Sequence, residues 1–414
     1  MPRSYANPVA PLSTATVTAN PVSTAMVSAP MGTADPVATD PVRTATVSAD
    51  PVSADPVTAC PAPEAPLALG RLLHRYEGTG TPLTCEPVAQ GLLNRGYHLT
   101  TTRGRYFLKH HLDGDRAAIA RQHGATARLG ALGLPVAPPL ADTDGRTVTV
   151  IGGHCYALHP WIDGRHRDGG QLTCAQSRRL GALLGLVHTC LERVMPHSAP
   201  ADAGLPAGGA SPGQPPQARP GAPLAGADPT RTFTLIEELL ALARAHRPRD
   251  SFDELAEHRL RERRTLLERH SHRRPGPGAA PAAGWVHGDF HPLNLLYRGA
   301  EPVAIVDWDR LGVQPRAEEA VRAAAIFFVR PGGTLELAKV RPYARAYRAA
   351  TGAAAEELAA AVHRVWWERL NDFWMLRWRY QLRDRRADPQ FPAAAALSVW
   401  WTREYEAVCA AFTE

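Results

Sequence analysis

The spacing of apolar positions changes period several times along the 414-residue chain, and those changes divide it. From Leu67 to Tyr76 apolar residues fall at helical intervals, which predicts a short amphipathic helix. Beyond Val88 the period shortens to that of strands. His98–Thr102, an Arg103-Gly104 turn and Arg105–Lys109 predict a hairpin. Helical spacing returns over Arg116–Leu132 (Ile119, Ala127, Leu129, Leu132) and stops at Gly133-Leu134-Pro135. Thr147–Ile151, a Gly152-Gly153 turn and Cys155–Leu158 predict a second hairpin. After Leu172 the pattern is mainly helical, except over Val286–Val306, where short apolar runs alternate with polar loops. Strands first and helices afterwards predict an α+β protein of two lobes.

Some stretches carry no such rhythm. Residues 1–66 are a degenerate Ala/Thr/Ser/Val/Pro repeat in which Asn-Pro-Val and Asp-Pro-Val recur, with Tyr5 the one aromatic. A proline every few residues blocks helix and ladder alike and leaves little to bury, so the segment reads as a disordered tail. Residues 196–229, with Gly208-Gly209 and Pro215-Pro216, read as a flexible insertion, and Pro275–Pro281 as a shorter break.

Composition narrows the class. Basic residues number 46 against 40 acidic ones, a net charge of +6, too mild to imply nucleic acid. No run approaches the roughly 18 apolar residues of a membrane span, and the first residues lack the layout of a signal peptide. Six cysteines without a Cys-x-x-Cys pair fit reduced thiols, hence a cytoplasmic protein without a zinc site. Only two lysines occur, Lys109 and Lys339, among many arginines. Lys109 ends the apolar strand Tyr106-Phe107-Leu108, where a compact point charge differs in use from an arginine fork. Lys339 is expected on a solvated helix face.

The segment richest in chemistry is Trp285-Val286-His287-Gly288-Asp289-Phe290-His291-Pro292-Leu293-Asn294, followed by Val303-Ala304-Ile305-Val306-Asp307-Trp308-Asp309. Phosphoryl transfer from ATP asks a protein for an acid to accept a hydroxyl proton and for oxygen ligands to Mg²⁺ at the phosphates. An Asp, an Asn five residues later and an Asp at a strand end supply that set.

This segment resembles the catalytic and metal-binding signature of the aminoglycoside phosphotransferase/choline kinase family, His-Gly-Asp-x-His-x-x-Asn. The resemblance covers about Leu67 to Phe328 apart from the insertion. Gly133–Leu140 is similar to the corresponding run of type II homoserine kinase-like members. The resemblance implies a bilobal protein-kinase-like fold, with a nucleotide-binding lobe over residues 67–158 and a catalytic and substrate lobe over residues 159–414. It implies Asp289 as catalytic base, His287 as the residue orienting that loop, and Asn294 and Asp307 as Mg²⁺ ligands. Lys109 falls at the family's phosphate-binding lysine, and Gly91–Tyr97, with Asn94, where the first hairpin covers the phosphates. Tyr156–Gly164 resembles the hinge between lobes, with Leu158 and His159 as the candidate adenine contacts. The implied activity is ATP-dependent phosphorylation of a hydroxyl on a small molecule. An antibiotic-modifying kinase is the alternative.

One departure stands out. Kinase-like folds pair this lysine with a glutamate on the following helix, and Arg116–Leu132 has none; His123 and Gly124 stand near its place. Either another carboxylate orients Lys109 or phosphate alone holds it, and a non-catalytic nucleotide-binding pseudokinase is the second alternative. Glu318 or Glu319 either pairs with the catalytic loop or lies on a solvated helix face. Asp309 and His291 read as local hydrogen-bonders, and His188 as a structural histidine. Trp367, Asn371, Trp374 and Trp378 are spaced as one stripe of a single helix, either core or part of an acceptor pocket. Arginines outnumber acids around this stripe, which favours a neutral, zwitterionic or aromatic acceptor over a polycation.

Overall fold

The computed structural model describes residues 66–88, 94–112, 114–195, 226–276 and 282–414. The repeat over 1–65 and most of the 196–229 insertion lie outside them. A helix, α1 (Pro66–Leu73), precedes a five-stranded antiparallel sheet: β1 (Pro82–Val88), β2 (Arg95–Thr101), β3 (Gly104–His111), β4 (Thr149–Ile151) and β5 (His154–Pro160). The strands lie side by side in the order β1-β2-β3-β5-β4, with α2 (Arg116–Ala131) inserted between β3 and β4. Both hairpins predicted from the alternation form. α1 is shorter than its apolar spacing predicts: the chain leaves the helix after Leu73, and the Thr79 hydroxyl donates to the carbonyl of Tyr76 at 2.9 Å.

The rest is helical around two small ribbons. α3 (Cys174–Val194), α4 (Pro229–Ala245) and α5 (Ser251–His270) lead to β6 (Ala283–Val286), β7 (Leu295–Arg298), β8 (Glu301–Ile305) and β9 (Gly312–Pro315). β6 pairs with β9, and β7 with β8. Then follow α6 (Arg316–Phe327), α7 (Leu337–Thr351), α8 (Ala355–Asn371), α9 (Trp374–Gln381), α10 (Phe391–Arg403) and α11 (Tyr405–Thr413).

Two hydrophobic cores match the two lobes. A small one joins Leu72, Leu73 and Tyr76 to Leu99, Leu108 and Leu158. The large one takes in α3 and the C-terminal helices, with Trp366, Trp367 and Trp401 almost wholly buried. α3 lies so close to α7 that a β-carbon on Gly181 would stand 2.0 Å from the Tyr343 carbonyl oxygen. Between the cores, the Ile305 amide donates to the Pro135 carbonyl at 2.7 Å, beside the Val136–Ile305 bridge.

Two sequence expectations need correcting. The tryptophan stripe is not one helix: α8 ends at Asn371, and the Asp372 carboxylate accepts the Trp374 amide at 3.1 Å, starting α9 in a new direction. Such local side-chain-to-backbone bonds compete with helix continuation. Trp366 and Trp367 are core, while Trp374 and Trp378 are half-buried and meet edge-on at 5.3 Å. Lys339 is not solvated but buried, donating to the carbonyls of Gly169 at 2.9 Å and Gly170 at 3.2 Å and pairing with Glu336 at 3.2 Å. Its ammonium ties the turn before α3 to α7.

Candidate active site

After β6 the chain runs through His287-Gly288-Asp289 to a single 3₁₀ turn, Pro292–Asn294, and into β7. His287 is fully buried. Its Nδ1 accepts the Asp289 amide at 3.2 Å, which leaves the proton on Nε2, donated to the Val306 carbonyl at 3.0 Å. Burial pushes its pKa down, so the ring is a neutral strut between the loop and the end of β8. Gly288 sits at φ +85°, and a β-carbon there would lie 2.1 Å from the Arg310 carbonyl oxygen. No other residue fits that turn without displacing backbone.

The loop is fastened from below by Glu319 on α6. Its carboxylate accepts the amides of His287 at 3.2 Å and Gly288 at 2.5 Å, and meets Nε2 of His188 at 2.7 Å. Burial opposes ionisation of Glu319, but His188, His287 and Arg322 outweigh it and hold the carboxyl below its usual range. Of the two glutamates singled out in the sequence, Glu319 therefore pairs with the loop. Glu318 binds Arg364 at 2.5 Å and Arg322 at 3.3 Å. His188, held also by the Tyr347 hydroxyl at 3.0 Å, is structural as expected.

Asp289 is part-exposed, with His291 Nε2 at 3.6 Å and Arg310 Nε at 3.7 Å. Burial works against its charge, yet His291 and Arg310 keep its carboxyl below the ordinary value. Asn294 donates its amide nitrogen inward, to the Asp289 carbonyl at 2.8 Å and beside His291 Nε2 at 3.2 Å. Its Oδ1 is thereby turned the other way, uncommitted among the described residues.

The second half of the site crosses the lobes. Lys109, at the end of β3, is buried and donates to Asp307 at 2.8 Å and Asp309 at 2.6 Å. Burial opposes its charge, and the two carboxylates more than compensate, raising its pKa. One cation facing two carboxylates splits them. Burial and the neighbouring Asp307 charge push Asp309 up to about 6, while Lys109 carries Asp307 below its usual value against the opposing effect of burial. Asp307 has a left-handed backbone, φ 60°, which non-glycine residues rarely adopt and which clusters at functional sites. Asn94 donates to Asp309 at 2.5 Å while its Oδ1 accepts the Leu112 amide at 3.0 Å. Gln122 on α2 donates to the Asp309 carbonyl at 2.8 Å.

So the missing helix glutamate has a substitute. Asp309, which the sequence suggested as a local hydrogen-bonder, joins Lys109, Asn94 and Gln122 at one point. Its signal was the Asp-x-Asp step at the end of β8; Gln122 carried none. His123, near the glutamate's expected place, instead meets the Thr147 hydroxyl at 2.9 Å and packs edge-on against His111 and His159. Burial lowers His111 and His123 to about 3 and His159 to about 4, so all three are neutral near pH 7.

The hinge candidates lie on β5, the strand beside β3. Leu158 is wholly buried opposite Leu108, and its carbonyl accepts the Leu140 amide at 2.7 Å. The His159 ring is held by the Ala137 carbonyl at 2.9 Å.

Among the described residues, no group of three His, Cys, Asp or Glu side chains forms a ready-made metal cage. Asn294 Oδ1 and the half-exposed Asp307 carboxylate are oxygen donors, the kind a Mg²⁺ ion takes in ones and twos while phosphates and water complete its shell. No helix of the described residues is long and apolar enough to cross a membrane.

A sequence profile of the phosphotransferase enzyme family matches residues 84–360. Among solved structures, the fold is similar to that of an amicoumacin kinase in complex with AMP-PNP, Ca²⁺ and its ligand, with TM-score 0.52 and 17% identity over 82% of this chain and 94% of that one. It is similar to a microcompartment-associated aminopropanol kinase, with TM-score 0.52 and 17% identity over 84% and 98%. A spectinomycin phosphotransferase in complex with ADP and spectinomycin gives 0.51 and 15% over 80% and 93%. No curated protein matches the chain.

Proposed function

The chain belongs to the phosphotransferase enzyme family, and on that premise we propose that it moves the γ-phosphoryl group of ATP to a hydroxyl of a small molecule. The observation that carries this reading is the meeting of Lys109 from the sheet with Asp307 and Asp309 from the helical lobe, beside a loop that presents Asp289 and Asn294.

Asp289 is the catalytic residue. It is ionised and reachable, and it orients the acceptor hydroxyl and takes its proton as the oxygen attacks. Lys109 turns its ammonium to the nucleotide phosphates, where a point charge offsets negative charge in a site shielded from water. Asn294 and Asp307 are the residues that would hold Mg²⁺. When bound, that ion neutralises phosphate charge and aligns the transferring group. His287 is a positioning residue: through Asp289 N–H and Val306 C=O it fixes the separation of the base from the strand end that carries Asp307. The carboxylates at Lys109 fill the role of the absent helix glutamate, which supports a working catalyst over a nucleotide-binding pseudokinase.

The test uses the full chain and a panel of homoserine, choline, amino alcohols, sugars and antibiotics, scored by ADP release. Asp289→Asn is expected to abolish release while leaving the Mg·ATP thermal shift in place. Asp307→Asn, whose amide tolerates the left-handed backbone, is expected to lose the Mg²⁺-dependent part of that shift. Full turnover by Asp289→Asn on a substrate found in the panel defeats the assignment, and an unchanged Mg²⁺ dependence in Asp307→Asn removes its metal role.

A further inference from the structure

Where α5, the end of α8, the start of α9 and α10 meet, Arg259, Arg263, Arg369, Asp372, Phe373 and Trp374 stand around a cavity of about 40 Å³. None of these side chains belongs to the site described above. Arg263 is only 6% exposed, yet it forms no ion pair among the described residues. One of its N–H groups reaches the Arg369 carbonyl, and its plane lies 5.5 Å from the Phe373 ring centre. Burial lowers its pKa to about 10 against the pull of Asp372 and Glu262. The Arg369 guanidinium has no hydrogen-bond partner among the described residues, and its Nε is buried. Arg259 spends one nitrogen on Glu262 at 2.6 Å and leaves a buried Nε unmatched.

The acids nearby do not balance these charges. Glu368 is engaged by Arg322 at 3.0 Å. Asp372 is exposed and gives one oxygen to the Trp374 amide at 3.1 Å. A buried donor without a partner costs about 1–3 kcal/mol, and a charged one more. The guanidinium-bearing residues Arg259, Arg263 and Arg369 line one cavity, and an anion there would offset their charge. Guanidinium forks match the planar, two-oxygen geometry of carboxylate and the oxygens of phosphate. The space is roughly that of an oxyanion group rather than of a ring; the remainder of a ligand would lie along Phe373, Trp374 and Phe391.

We propose that this cavity is a binding site for the oxyanion, carboxylate or phosphate, of a small molecule with a flat apolar body. The proposal does not rest on the phosphotransferase reading, since the site is tested without nucleotide. The full chain is titrated calorimetrically at low ionic strength with benzoate, with inorganic phosphate, and with benzyl alcohol as the uncharged partner of benzoate. One-to-one binding of benzoate or phosphate with a Kd of about 1 mM or tighter is expected, with benzyl alcohol at least tenfold weaker. Arg369→Gln is expected to weaken the anion at least tenfold while its Mg·ATP thermal shift matches that of the parent. Arg259→Gln is the second variant should Arg369→Gln not fold, and the same loss is expected. Binding of benzoate alone identifies a carboxylate with an apolar body, and phosphate that displaces benzoate identifies phosphate. Absence of binding by both anions, or unchanged affinity in the folded variants, overturns the proposal. Loss of the Mg·ATP shift in the parent chain would count against the nucleotide site only.

Discussion

The Glu319 carboxylate gathers the backbone amides of His287 and Gly288 and one imidazole, that of His188, and replacing it by glutamine measures what that junction contributes. Glutamine keeps the shape but has one accepting oxygen, and its NH₂ must face a donor. Losing one charge-assisted bond costs about 1.5–3 kcal/mol, and one buried N–H left unmatched adds about 1–3 kcal/mol. Glu319 is 2% exposed, so solvent does not dilute either loss. The total, about 2.5–6 kcal/mol, brackets the cost of a broken buried charge pair, about 3–5 kcal/mol. With unfolding entropy of ~2.1 cal/mol/K per residue over the compact unit Pro63–Glu414, 3 kcal/mol lowers the melting midpoint by about 4 °C. The folded pKa is depressed, so this stabilisation is complete above the unfolded value near 4.3 and fades as pH falls through the lower folded value. The Glu319→Gln gap should therefore be full at pH 7 and narrow on acidification. ADP release should fall about 10²-fold, because the base moves with its loop. Glu318→Gln is the control: it breaks contacts to Arg364 and Arg322, not to the loop, and should cost stability while release persists. Melting of Glu319→Gln within about 1 °C of the parent at pH 7, with undiminished release, would refute the reasoning.

Three further outcomes follow from the same geometry. The Asp309 carboxyl takes up a proton on folding, since its pKa of about 6 lies above the unfolded value. Its contribution to stability therefore falls as pH rises from about 4 to about 6; the stability difference between parent and Asp309→Asn should change over that range in a series of melts, and a constant difference would refute this. Lys109→Arg should not restore ADP release, because a fork cannot occupy the space of an ammonium shared by two carboxylates; normal turnover would contradict this. Lys339→Met should lower the unfolding free energy by about 1–3 kcal/mol through the lost ammonium bonds to the Gly169 and Gly170 carbonyls and to Glu336, and an unchanged unfolding free energy would refute this.

Much of this was legible in the residues because it depends on local order. The hairpins follow from alternation, and the loop that carries Asp289 and Asn294 is marked by a spacing of five and a strand-end aspartate. What escaped depends on partners far apart in the chain. Lys339 and Gly169 are separated by 170 positions, and nothing in a helix pattern says that its lysine meets two backbone carbonyls. Asp309 and Gln122 meet only after the sheet closes on the helical lobe. The tryptophan spacing misled because periodicity cannot see the Asp372–Trp374 bond that ends one helix and begins another. The arginine excess, by contrast, was visible as a count, but not that three guanidinium groups share one cavity.

The bond between Lys109 and its two aspartates gives the cleft a currency of exchange. Before nucleotide arrives, the lysine and the strand-end acid satisfy one another. On the function proposed above, a step of the ammonium toward phosphate would free carboxylate oxygen for a cation, and a cation drawn to Asp307 would free the ammonium for phosphate. The two guests would then each raise the affinity for the other, and by linkage the factor would be equal. Either alone has to break the protein's own ion pair for half the return. A chain wired this way would favour the preassembled metal–nucleotide complex and discriminate against bare nucleotide, with no moving lid required.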